Sequence, residues 1–185
     1  MASAIDATAS GADANSYVTL AEANTYFGDR LHKDNWINAG ASEKTAALLW
    51  AVKVLDSRVD WKGSRTTDTQ ALSWPRVYVP MPDPPYLPAI SAPFGYPLTG
   101  YMDGAVVPDE IKYAQMELAL ALLGSDLTAQ PDTTGLNSLG VGPIRLDFAG
   151  NNQQAETLPR NVKELVERYG SVRTARSGTR KLVRT

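Results

Sequence analysis

Hydrophobic positions recur at helical spacing in four stretches of the chain and at strand spacing in one. Leu20, Ala23, Phe27 and Leu31 follow one another at steps of 3, 4 and 4, the period of one helix face. The pattern Thr19-Leu20-Ala21-Glu22 just before them is that of a capping box, so a first helix is predicted from about residue 20 to His32. Ala47, Trp50, Ala51, Val54 and Leu55 form a broad buried stripe on a second helix, which Ser42 can cap and which runs to about Asp60. Ile111, Ala114, Leu118, Ala121 and Leu122 line a third, opened by Pro108 with Asp109 and Glu110 in the first turn and closed at Gly124. A fourth carries Val162, Leu165, Val166 and Tyr169 between Pro159 and Gly170. Ile144, Leu146 and Phe148 alternate with Arg145 and Asp147, which is strand periodicity and short enough for one arm of a hairpin. The expected fold is mainly α: a small helical bundle with a short β strand or hairpin.

The segments between these patterns are as informative. Residues 1–16 are small and polar with no amphipathic period, and are expected to form an extended arm. Residues 61–76 read as a loop with Trp61 and Trp74 near its two ends, well placed to anchor it to the helices. Residues 77–105 hold seven of the twelve prolines, with Tyr78, Tyr86, Phe94, Tyr96 and Tyr101. Proline removes backbone donors and fixes φ, which excludes helix or central strand there. The expected organisation is an arm (1–16), a helical domain (17–170) with a proline-rich insert (77–105), and an extended tail (171–185).

Composition narrows the function. At 185 residues, 43% hydrophobic and 21% charged, the chain has the material for one globular core. Its longest apolar run, Ala46 to Val52, is far short of a membrane span, and Met1 to Ser16 lack the basic and apolar regions of a secretory leader. Without cysteine, disulfides and thiolate metal sites are excluded. His32 is the single histidine and reads as a surface residue near a helix end. No phosphate-binding glycine loop occurs, and Gly140-Val141-Gly142 reads as a turn. Asp109, Glu110, Glu164 and Glu167 sit where carboxylates stabilise or solvate helices. Neither catalytic groups nor a cofactor or metal are expected.

Charge is uneven. The tail holds Arg173, Arg176, Arg180, Lys181 and Arg184 without an acid, while residues 1–170 carry 13 basic against 20 acidic groups. Such a tail suits an acidic partner, whether nucleic acid or protein.

Several motifs, in order, resemble those of head-to-tail connector (adaptor) proteins of tailed phages: Asn15-Ser16-Tyr17-Val18-Thr19-Leu20-Ala21-Glu22-Ala23, Leu55-Asp56-Ser57-Arg58, Trp61-Lys62-Gly63-Ser64-Arg65, Leu72-Ser73-Trp74-Pro75-Arg76, Val107-Pro108 with Ile111 and Glu117-Leu118-Ala119-Leu120, and Val141-Gly142-Pro143-Ile144. Relatives in this group are also labelled DnaT-like single-stranded-DNA-binding proteins, a label that implies a replication accessory instead. The connector resemblance implies a virion protein forming a ring, usually of twelve copies, at the head-tail interface after assembly in the host cytoplasm. Its partners would be the portal, reached by the C-terminal segment, and a tail, stopper or nozzle protein, with DNA passing through unread. Residues 77–105 depart from the family pattern, and their aromatics suit a rigid docking surface. Trp61, Arg65, Trp74, Pro75 and Arg76 are expected to support the fold rather than touch DNA.

Overall fold

The computed structural model describes residues 4–83, 100–127, 138–141, 144–147 and 158–173, with backbone alone for 138–141 and 144–147. Along these, five helices and six short strands follow in the order α1 (Leu20–Gly28), α2 (Asp34–Asn38), α3 (Ala41–Arg58), β1 (Val59–Trp61), β2 (Ser64–Arg65), β3 (Arg76–Val77), α4 (Asp109–Gly124), β4 (Ser138–Val141), β5 (Ile144–Asp147), α5 (Arg160–Val166) and β6 (Gly170–Val172). Helices predominate, with three two-stranded antiparallel pairings: β1 with β6, β2 with β3, and β4 with β5.

α4 is the centre of the molecule. It packs against α3 on one side and α5 on another, with α2 also touching it, so every residue from Ala114 to Leu120 is buried. A helix enclosed this way is buried all round rather than along one stripe. Its polar members must therefore be satisfied internally. Gln115 accepts from the Tyr17 N–H at 3.0 Å and donates to the Ser16 hydroxyl at 2.7 Å and the Leu48 carbonyl at 3.2 Å.

The Thr19–Glu22 capping box forms, with the Glu22 N–H donating to Thr19 Oγ1 at 3.2 Å and the Thr19 N–H to Glu22 Oε2 at 2.7 Å. α1 then stops at Gly28, short of His32, which leaves Leu31 outside the helix and 79% exposed. The extra turn of chain folds into α2, whose Trp36 is buried against Phe27 with ring centroids 4.4 Å apart. α3 is capped at Gly40 rather than Ser42, the Glu43 carboxylate accepting from the Gly40 N–H at 2.7 Å. Its buried face is Ala47, Leu48, Ala51, Val52, Val54 and Leu55. Trp50 lies off that face and is 48% exposed, contrary to the stripe read from spacing. The buried face includes the small residues Ala47 and Ala51, and the bulky indole falls on the flank.

Residues 4–16 differ from an extended arm. The Asp6 carbonyl accepts from the N–H groups of Asn15 and Ser16 at 2.9 and 3.1 Å, and Asn15 reaches back to the Ala4 carbonyl at 2.9 Å. The segment is a closed loop, with Ala14 and Ser16 buried. Residues 171–173 likewise belong to the body: Val59 pairs with Val172, Asp60 with Ser171 and Trp61 with Gly170. Gly170 is required there, since a Cβ would lie 2.6 Å from Val59 Cγ1 and 2.8 Å from the Asp60 carbonyl. The Ile144–Leu146 alternation falls in β5, which pairs with β4 as a hairpin; Phe148 lies outside the described residues.

Candidate functional site

Trp74 sits in an aromatic stack, 2% exposed. Trp61 of β1 and Tyr169, just before β6, each meet it edge to face at 5.7 Å, the arrangement that the ring quadrupole favours. Among the described residues its indole N–H has no hydrogen-bond partner, a desolvation cost of about 1–3 kcal/mol that the packing must exceed. Pro75, joined to Trp74 by a cis peptide bond, is buried beside it.

Arg76 closes the loop. Its guanidinium donates to the carbonyls of Lys62 and Gly63, both at 2.7 Å, and of Ser73 at 3.0 Å. Burial lowers its pKa, and the like charge of Arg65 lowers it further. Arg65 stands opposite Arg76 in the β2–β3 pair and is exposed. Gln70 completes the frame from inside, its amide donating to the Leu72 and Pro75 carbonyls at 2.9 and 3.1 Å. Asp56 of α3 accepts from the Tyr17 hydroxyl at 2.8 and 2.9 Å and from the Ser73 N–H at 3.0 Å. Burial raises the Asp56 pKa against the opposing pull of these hydrogen bonds. Burial, and then the Asp56 charge, push the Tyr17 phenol well above its usual 10.0.

The structure thus brings Trp61, Trp74, Pro75 and Arg76 into one frame, with Arg65 on its outer edge. Of the insert's aromatics, Tyr78 and Tyr101 are 68% and 54% exposed and meet edge to face at 6.0 Å. Tyr86, Phe94 and Tyr96 lie outside the described residues. Of the tail cations, Arg173 pairs with Asp60 at 2.6 Å and donates to the Ser57 carbonyl at 3.2 Å. Arg176, Arg180, Lys181 and Arg184 lie outside the described residues.

A second polar cluster was not singled out from the sequence. Glu117, buried on α4, accepts from the Arg30 guanidinium (Nη2 to Oε2, 2.8 Å), the Tyr26 hydroxyl (2.8 Å) and the Asn161 amide (2.8 Å). Burial, then the hydrogen bond to Glu117, raises the Tyr26 phenol pKa. A cavity of about 580 Å³ opens beside the cluster, bordered also by Glu110 and Glu164. A glutamate inside an otherwise apolar helical run, Met116-Glu117-Leu118-Ala119, was the available signal. Among the described residues no three His, Cys, Asp or Glu side chains are grouped to hold a metal ion, and no helix is long and apolar enough to cross a membrane. His32 is exposed, in left-handed backbone at φ 54°.

No curated protein and no solved structure matches the chain. One family model does, over residues 1–185, and its description is "Putative DnaT-like ssDNA binding protein". A match across the whole length, over a sequence whose WPR frame and N-terminal loop both fold into one body, places the chain in that family of DnaT-like proteins.

Proposed function

We propose that the protein is a non-enzymatic structural component of a tailed-phage virion, a connector that assembles into a ring of about twelve copies between portal and tail and lets genomic DNA pass. The observation that carries this reading is the exposure of large apolar side chains in separate stretches of a well-packed body: Leu31 and Ile37 around α2, Trp50 on α3, and Tyr78, Tyr101 and Val106 beyond β3. Exposed apolar side chains in more than one region fit the two different surfaces that a head-to-tail ring needs on each copy. The motif resemblance supplies the portal and the tail or stopper protein as partners, with the basic residues beyond Arg173 directed toward the portal. Native mass spectrometry of the purified protein, alone and with portal, tests this: a closed ring supports it, and a monomer that ignores the portal does not.

A second reading, a single-stranded-DNA-binding accessory of replication, is favoured by the family description itself. Strand binding calls for exposed cations beside stacking aromatics. The excess of acids over residues 1–170 speaks against it only if that excess is spread evenly over the surface.

A further inference from the structure

The excess is not even. Around β1, β2 and β6, the exposed side chains include Lys62, Arg65 and Arg168. Among the described residues none of these three forms a salt bridge with a carboxylate, whereas Arg30, Arg160 and Arg173 all do. Lys62 donates to the Arg168 main-chain carbonyl at 2.8 Å, and both residues border one cavity. Arg76, with its donors committed to three carbonyls, joins Arg65 to this group structurally and adds positive charge behind it.

The same edge presents two tyrosines. Tyr78 follows β3 directly and has φ 60°, a left-handed conformation that is uncommon for a bulky residue and is sustained only by its surroundings. Gly63 supplies that support. With φ +69° and no side chain, it lets the strand lie against it, where a Cβ would sit 2.2 Å from the Val77 carbonyl oxygen and 3.1 Å from the Tyr78 carbonyl carbon. The chain beyond is braced by the Pro80–Tyr101 bridge, with Met102 N–H donating to the Val79 carbonyl at 2.9 Å. The backbone that carries the two exposed rings is thereby braced. Between this brace and the cations lies a cavity of about 480 Å³ bordered by Lys62, Pro80, Met81, Pro82, Arg168 and one carboxylate, Asp83.

We propose that the Tyr78–Tyr101 pair with Lys62, Arg65 and Arg168 is a binding surface for a single strand of nucleic acid, bases stacking on the rings and phosphates lying on the cations. Exposed rings offer faces on which bases can stack, and exposed cations that form no salt bridge among the described residues offer contacts for phosphates. A duplex, whose bases already stack on each other, would use the cations alone. This inference rests on the second reading above, and it assigns Tyr78 and Tyr101 to a strand rather than to a neighbouring copy.

The test is fluorescence anisotropy of a labelled oligothymidylate with the full chain across a salt series. Four variants accompany it: Tyr78→Ala with Tyr101→Ala, Tyr78→Phe with Tyr101→Phe, Lys62→Ala with Arg65→Ala and Arg168→Ala, and a tail variant with Arg176, Arg180, Lys181 and Arg184 changed to alanine. Circular dichroism confirms that each is folded. Loss of both rings is expected to weaken binding at least about tenfold while the phenylalanine pair retains it, and loss of the three cations to flatten the salt dependence by a slope of about 2. Binding that is indifferent to both ring and cation changes, or is abolished by the tail variant alone, overturns the surface but leaves a strand-binding protein. Absence of any binding at low salt overturns both. Equal or tighter binding of a duplex overturns the stacking assignment, and with it the proposal.

Discussion

Trp74 shows how a single side chain fixes the neighbourhood that carries the family's motifs. It touches β1 through Trp61 and the chain after α5 through Tyr169, so Trp74→Ala should cost about 3–5 kcal/mol, the usual loss on deleting a buried aromatic. Trp74→Phe should cost clearly less, because it keeps an aromatic ring in the site and removes an N–H that has no partner among the described residues. Urea midpoints of the two variants check this ordering. Asp56 makes a pH-dependent contribution of opposite sign to an ordinary ion pair. Its folded pKa is raised above 3.8 by burial, so in the folded state it takes up a proton before the unfolded chain does. Its penalty is therefore full at neutral pH, shrinks as pH falls through the folded value, and is gone below 3.8. Denaturation of wild type and Asp56→Asn at pH 7 and near pH 4 should show wild type gaining on the variant in acid. Trp74 was legible because large aromatics bracketing a loop have few places to go except inward. Trp50 and Leu31 were misplaced because spacing records which residues share a face, not where a helix ends or which face the neighbour covers.

At the scale of elements, α1, α3, α4 and α5 could be read from periodicity and punctuation, whereas β1 and β6 could not. These strands have three residues each and pair across more than a hundred residues of chain, too short to display a period and too distant to be a hairpin. The consequence is a sharp boundary near the C-terminus. A chain ending at Arg173 should unfold like wild type, while one ending at Gly170 loses most of the β1–β6 ladder and the Arg173–Asp60 pair and should melt several degrees lower by circular dichroism. The Glu117 cluster binds α1, α4 and α5 together in the same way. Arg30→Ala leaves a buried carboxylate with only Tyr26 and Asn161, at a cost of about 3 kcal/mol that denaturant unfolding will read. The sequence shows Glu117 within a family motif but not its burial, because a charged residue within a helical pattern normally marks the solvated face.

Over the whole molecule, the excess of acidic groups in residues 1–170 coexists with a local basic edge, a sorting that composition averages away. An acidic surface favours a ring through which DNA slides without being held. The basic edge with its paired tyrosines is where the proposed strand contact would lie. Both rest on a frame of packed helices whose apolar side chains are left uncovered in several places, and it is this uncovered surface that the connector account must explain. Quantitative mass spectrometry and imaging of purified particles made by the genome that encodes this chain test it most directly. The account predicts about twelve copies per particle, in a ring beside the portal; particles that lack the protein while it is recovered with replicating DNA would contradict it.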